Sequence, residues 1–135
     1  MSLNCKTPKD VLKLLADEDI PFVDLRFTDP RGKWQHLAMT SEFVDEAAFA
    51  DGIMFDGSSI AGWKAINESD MVLIPDPATA VMDPFSAQAS VILFCDVAEP
   101  STGQPYARDP RSAARRAEAY LGTTGIGDTA YFGPE

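Results

Sequence analysis

The chain has 135 residues and is 45% hydrophobic and 24% charged, a composition that supports one folded core and excludes a chain disordered along its whole length. Its formal charge of -10 repels a phosphate backbone, which argues against nucleic acid as a partner. No apolar run approaches the ~18 residues of a membrane span, and Met1 to Pro8 lacks a basic-then-apolar leader, so the expected location is the cytoplasm, with no membrane partner.

The first expected element is a helix that Thr7 caps, with Pro8 in its first turn and Asp10 three residues after the cap. Val11, Leu12, Leu14 and Leu15 form its apolar side, and Pro21 lies beyond its end. Val23, Leu25 and Phe27 alternate with Asp24, Arg26 and Thr28, the period of a strand with one wet face. Asp29-Pro30-Arg31-Gly32 has type I turn chemistry and returns the chain as a hairpin through Trp34 to Met39. A second helix is expected from Ser41 to Ala50, capped by Thr40 or Ser41, with Phe43, Val44, Ala47 and Ala48 inward and Gly52 as its left-handed stop.

Phe55 to Trp63 reads as a loop. Strands follow at Met71 to Ile74, Thr79 to Met82 and Ser90 to Val97, the last central because it is continuously apolar from Val91 to Cys95. Asp109 and Pro110 open a third helix that runs through Leu121 and closes at Gly122, and Thr129 to Phe132 reads as a further strand. This irregular mixture is an α+β pattern. An apolar strand opening at Thr129 to Glu135, with nothing after it to pair with, suggests a chain cut inside a longer protein.

Cys5 and Cys95 are too far apart in sequence to form a C-x-x-C pair, and Cys95 in its apolar run is expected to be a buried thiol. A single histidine, His36, cannot build a nitrogen-ligated zinc site, so any metal must be hard and carboxylate-bound; with no titratable neighbour in sequence, His36 reads as structural or exposed. Arg108, Arg111, Arg115 and Arg116 concentrate four of the eleven basic residues and read as a solvated helix face or a source of salt bridges between subunits rather than a phosphate surface. Phe55-Asp56-Gly57-Ser58-Ser59 is the most suggestive stretch for chemistry. It is compatible with a cation site, but spacing alone favours a turn in which Asp56 bonds its own backbone two residues on. Gly57 and Gly62 do not fit a phosphate-binding glycine motif.

Phe55-Asp56-Gly57-Ser58-Ser59, eight residues ending at Asn67, Glu68-Ser69-Asp70, two residues and Leu73 together resemble the amino-terminal signature of the glutamine synthetases. Ile60-Ala61-Gly62-Trp63-Lys64, Met71 to Asp76 and Tyr131-Phe132-Gly133-Pro134-Glu135 extend the resemblance to the bacterial type I enzymes over essentially the whole chain. The resemblance implies a β-grasp domain over residues 1–121, with residues 122–135 opening a truncated catalytic domain. It implies ATP-dependent ligation of ammonia to L-glutamate through γ-glutamyl phosphate, with Mg2+ or Mn2+, in a homo-dodecamer whose active sites are shared between subunits. On the same grounds Asp56 serves the ammonium site of a neighbouring subunit, Ser59 stands beside it, and Glu135 is the first glutamate of a Glu-x-Glu metal motif. The role of Trp63 is left open between the nucleotide side of that site and an inter-domain anchor. Two other readings are an independent β-grasp interaction module and a related ligase for another amine; the intact Asp56 and Ser59 argue against the second. The chain alone is expected to be inactive, because most of the implied site lies beyond it.

Overall fold

A computed structural model describes residues 3–63 and 69–133. The elements are α1 (Pro8–Asp17), β1 (Phe22–Thr28), β2 (Trp34–Thr40), α2 (Glu46–Ala50), β3 (Ile53–Asp56), β4 (Asp70–Pro75), β5 (Val81–Met82), β6 (Ser90–Ala98) and α3 (Pro110–Thr124). The sheet order is β2-β1-β6-β4-β3, and β5 also pairs with β6. β1 and β6 run parallel, with Val23 opposite Val91 and Leu25 opposite Leu93; the other pairings are antiparallel. Helices and a mixed sheet make this an α+β fold of the β-grasp type.

Local chemistry explains the first half of the molecule. Thr7 Oγ1 accepts the amide of Asp10 at 3.3 Å while Asp10 accepts the amide of Thr7 at 2.8 Å, a reciprocal cap that starts α1. The β1–β2 hairpin closes through the buried Asp29, whose carboxylate accepts the amides of Arg31 and Lys33 at 2.9 Å and the side-chain amide of Gln35 at 3.0 Å. Val23, Leu25 and Phe27 from β1, Met71 and Leu73 from β4, and Val91, Leu93, Cys95 and Val97 from β6 enter one buried cluster with Val11 and Leu15 of α1 and Ala48 and Phe49 of α2. The period-2 alternation of the strands thus fills one face of the sheet.

The opposite face carries Ile92 and Phe94 of β6 and is cross-linked by ion pairs. Asp24 is expected on a wet face but is only 6% exposed, because Arg26 Nε donates to it at 2.7 Å and His36 Nδ1 lies 2.7 Å from its other oxygen. His36 therefore has a titratable partner after all, brought in by hairpin pairing rather than by nearness in sequence. Farther along this face α3 is fastened by its arginines. Arg111 Nε donates to Asp96 at 2.7 Å and also pairs with Asp76, while Arg115 reaches Asp96 at 3.0 Å and Asp76 at 3.3 Å. Arg111 and Arg115 thus spend their charge on carboxylates of their own chain rather than on a solvated face.

Several boundaries differ from the sequence expectation. The span from Ser41 to Ala50 is not one helix: a 3-10 turn covers Ser41–Phe43, Val44 is extended and buried, and α2 starts afresh because Asp45 caps it by accepting the amide of Ala48 at 3.0 Å. Phe43, expected inward, is 70% exposed, and Ala47 is exposed too. The region after Gly52 opens with β3 rather than directly with a loop, and Pro77–Thr79 forms a 3-10 turn ahead of the two-residue β5. α3 passes through Gly122 and ends at Thr124 on the left-handed Gly125. Thr129 to Phe132 forms no strand; among the described residues nothing pairs with it, and a lone strand cannot satisfy its backbone. Cys5 and Cys95 are free and buried as thiols, and burial raises the pKa of Cys95. Among the described residues no helix is long and apolar enough to cross a membrane.

Gly32 and Gly52 both hold positive φ, at 83° and 81°, but their surroundings differ. A Cβ at Gly32 meets nothing within 4 Å, whereas one at Gly52 stands 2.6 Å from Ile74 Cδ1 and 2.7 Å from the Leu73 carbonyl. Gly32→Ala is expected to cost about 1 kcal/mol, the backbone term alone, and Gly52→Ala roughly 3 kcal/mol, with denaturant unfolding measuring both.

Candidate functional site

The signature loop begins where the edge strand β3 ends. Among the described residues β3 pairs only with β4, and the last matched pair is Asp56 with Asp70, so two acidic residues face each other across the sheet end. Asp56 then caps a 3-10 turn over Gly57–Ser59. Its Oδ1 accepts the Ser58 amide at 2.9 Å and the Ser58 hydroxyl at 2.7 Å, and its Oδ2 accepts the Ser59 hydroxyl at 3.1 Å. The turn that the sequence allows is present, and it fixes the carboxylate without burying it, since Asp56 remains exposed.

These bonds set its charge. Hydrogen bonds from the Ser58 side chain, from the Ser58 amide, and from Ser59 and Ser69 stabilise the ionised form and hold the Asp56 carboxyl below the usual carboxylate range, against a smaller opposing effect of desolvation. Ser58 supplies the largest share. It was not separable from Ser59 in the sequence, and Ser69 enters only through the fold, by standing next to Asp70 on the facing strand.

Gly57 is required by a close approach within the chain, not by an unusual dihedral. Its amide donates to the Ser69 carbonyl at 2.6 Å, and a Cβ there stands 2.5 Å from Met71 Cγ and 2.9 Å from that carbonyl. Gly57 packs directly on the chain's own β4.

The loop is backed by aromatic rings. Phe27 and Phe55 lie 5.0 Å apart between centroids, Trp63 is 5.5 Å from Phe27, and Tyr106 stands edge-on to Trp63 at 5.3 Å. Trp63 is 5% exposed, and its indole N–H has no acceptor among the described residues, so its ring contacts hold it in place. Tyr106 Oη donates to the Trp63 carbonyl at 3.1 Å and Arg108 Nη1 to the Gly62 carbonyl at 2.9 Å. Nothing in the sequence pointed to Tyr106, because the link spans more than forty residues.

Asp56 and Ser59 are thus brought together as expected. Glu135, together with Lys64, Asn67 and Glu68 of the signature region, lies outside the described residues. Among the described residues no three His, Cys, Asp or Glu side chains converge as a metal site. The hollow between α3 and residues 126–132, lined by Arg115, Glu118, Leu121, Ile126 and Phe132 among others, includes no residue of the Asp56 loop.

The edge strand, its loop and the central strands all fall within residues 19–100, which match the family described as glutamine synthetase, beta-Grasp domain. The chain belongs to that family. It is 62% identical over 130 residues to a glutamine synthetase of Bradyrhizobium diazoefficiens, an alignment covering 96% of this chain and 28% of that protein. It is 66% identical over 125 residues to a glutamine synthetase of Azospirillum brasilense, covering 93% and 27%. The chain therefore spans little more than a quarter of the length of these curated relatives. A cryo-EM structure of Plasmodium falciparum glutamine synthetase shares the fold with a TM-score of 0.84 at 19% identity, over 94% of this chain and 25% of that one.

Because its stabilising bonds come chiefly from Ser58, the Asp56 carboxyl is expected to titrate below the usual range by NMR. Ser58→Ala is expected to move that titration up toward the usual range by more than Ser59→Ala does. The sign follows from the bonding: a depressed carboxyl stays ionised through neutral pH, and the loop's hydrogen bonds weaken only as pH falls through its lowered pKa.

Proposed function

We propose that this chain is the amino-terminal part of an ATP-dependent glutamate–ammonia ligase, and that its Asp56 loop forms the ammonium side of an active site completed by a neighbouring subunit. The observation that carries this reading is an exposed carboxylate, ionised and held by Ser58 and Ser59, at the free edge of the sheet of a glutamine synthetase β-grasp domain. Residues 1–121 are assigned to the β-grasp domain and residues 122–135 to the opening of the catalytic domain, with α3 running across that junction to Thr124. The proposed assembly is a cytoplasmic homo-dodecamer.

Ammonium has no lone pair and cannot attack a carbonyl. A fixed anion draws the cation from water, and as a proton leaves, the nitrogen forms a bond to the γ-carbonyl carbon of γ-glutamyl phosphate while the carbon–oxygen bond to phosphate breaks; the second proton shed by the nitrogen goes to the released phosphate. Asp56 supplies that anion and can hold the departing proton; Ser59 keeps the carboxylate aimed. ATP supplies the phosphate, and Glu135 is proposed as one ligand of a magnesium or manganese ion. The alternative of an independent interaction module is not favoured, since relatives carry this segment as about a quarter of a longer chain.

In the full-length ligase, Asp56→Asn is expected to raise the KM for ammonium about 10- to 100-fold, the worth of one charge-assisted interaction, and to leave the KM values for ATP and glutamate unchanged. Equal rises in all three would reduce Asp56 to a turn-former. The isolated 135-residue chain is expected to release no glutamine or phosphate from glutamate, ATP and ammonium, as measured by a coupled assay.

A further inference from the structure

The Asp56 loop is anchored at two ends. Upstream, β3 is zipped to β4, and Gly57 donates its amide to the Ser69 carbonyl at 2.6 Å. Downstream, two successive turns carry the chain from Gly57 to Trp63: the Ile60 amide donates to the Gly57 carbonyl and the Trp63 amide to the Ile60 carbonyl, each at 3.1 Å. Ile60 and Trp63 are both buried, whereas Ser59 between them and Asp56 is exposed. This downstream end is tied to a distant part of the chain, the link between β6 and α3. The buried Tyr106 donates its hydroxyl to the Trp63 carbonyl at 3.1 Å, and Arg108 donates to the Gly62 carbonyl at 2.9 Å.

Tyr106 is itself fixed. Its amide donates to the Val97 carbonyl at 2.8 Å, its carbonyl accepts the Asp109 amide at 3.1 Å, and Asp109 is the buried cap of α3. The sheet and helix therefore hold two adjacent carbonyls of the loop through the side chains of Tyr106 and Arg108.

We propose that Tyr106 and Arg108 are positioning residues for Asp56, clamping the Gly62–Trp63 end of the loop so that the carboxylate and its serines are presented in one arrangement. The inference rests on the reading of Asp56 as the ammonium-side carboxylate. A loop freed at one end regains backbone conformations, and only the fraction that keeps the Asp56–serine geometry binds the cation; the apparent affinity falls in proportion to that fraction. ATP and glutamate do not depend on that fraction.

The test uses the full-length ligase with Tyr106→Phe, Arg108→Gln, Asp56→Asn and the pair Tyr106→Phe with Asp56→Asn. Phenylalanine keeps the ring packed on Trp63 and removes only the hydroxyl. Tyr106→Phe is expected to raise the ammonium KM about three- to tenfold, with kcat at saturating ammonium and the KM values for ATP and glutamate unchanged, and to add nothing on the Asp56→Asn background. Arg108→Gln is expected to act in the same direction, with Arg108→Lys restoring most of the loss. If Tyr106→Phe fails to assemble, the exposed Arg108 pair decides the matter. An unchanged ammonium KM in the clamp variants, with Asp56→Asn still raising it, overturns the clamp and leaves the Asp56 reading standing. Parallel rises in all three KM values also overturn it, by showing a merely structural role. No effect of Asp56→Asn on ammonium overturns both.

Discussion

The parallel pairing of β1 with β6 is the constraint on which the rest of the chain depends. Parallel neighbours cannot be joined by a tight turn, so a long crossover must separate Thr28 from Ser90 before β6 can pair beside β1. On the way it adds β2 at one edge, α2 over the core, and β3 and β4 toward the other edge. The Asp56 loop is a product of this excursion: it lies at the end of the outermost strand, where a side chain can be held by a sheet and still face water. The same pairing places Val23, Leu25, Val91 and Leu93 side by side, which makes the middle of the sheet its driest part and the natural anchor for everything added around it.

An exposed carboxylate with a defined position is a demanding thing to build. Water competes for each of its bonds, and the backbone around a Gly-Ser-Ser sequence has many conformations to lose. The fold answers with an apolar wedge under the polar loop. Phe55 immediately before Asp56, and Ile60 and Trp63 after it, all turn inward, and the ring of Phe27 on β1 receives both aromatics. The burial of these side chains brings the loop down on the sheet; the hydrogen bonds of Ser58 and Ser59 then select which way the carboxylate points.

How much of this was legible in the sequence varied with the range of the causes. The cap at Thr7 and Asp10, the Asp29 turn and the hairpin after it depend on residues a few positions apart, and these were readable. So was β6, whose continuous apolar run announces burial on both faces. The single long second helix was not borne out because Asp45 makes the capping bond that starts α2 whereas Thr40 makes none, and local propensity alone did not choose between them. β3 was hidden by its shortness: four residues of alternating exposure beside a glycine-rich stretch carry almost no periodic signal. Asp56 and Ser59 were found through the spaced signature, whereas Ser58's larger role, Ser69 and the Tyr106–Arg108 tie depend on which strands and links become neighbours. Arg111 and Arg115 show the same limit. Their positive charge was visible, but the carboxylates that take it up come from β6 and the end of β4.

That distribution of ion pairs also explains why Asp56 is suited to a cation. Among the described residues, Asp24 and Asp83 share Arg26, and Asp76 and Asp96 share Arg111 and Arg115, so these acids carry structure and present little net field. Asp56 is stabilised differently, by hydroxyls and an amide, which are neutral. Neutral donors lower the pKa of a carboxyl without cancelling its charge, whereas an arginine in the same place would lower the pKa and cancel the charge together. With Asp70 across the strand pair and an overall charge of -10 behind it, the loop keeps a full negative charge facing solvent. On the proposed reading, an incoming ammonium ion is attracted at long range by the acidic domain and at short range by one carboxylate whose orientation is already set, so little ordering remains to oppose binding.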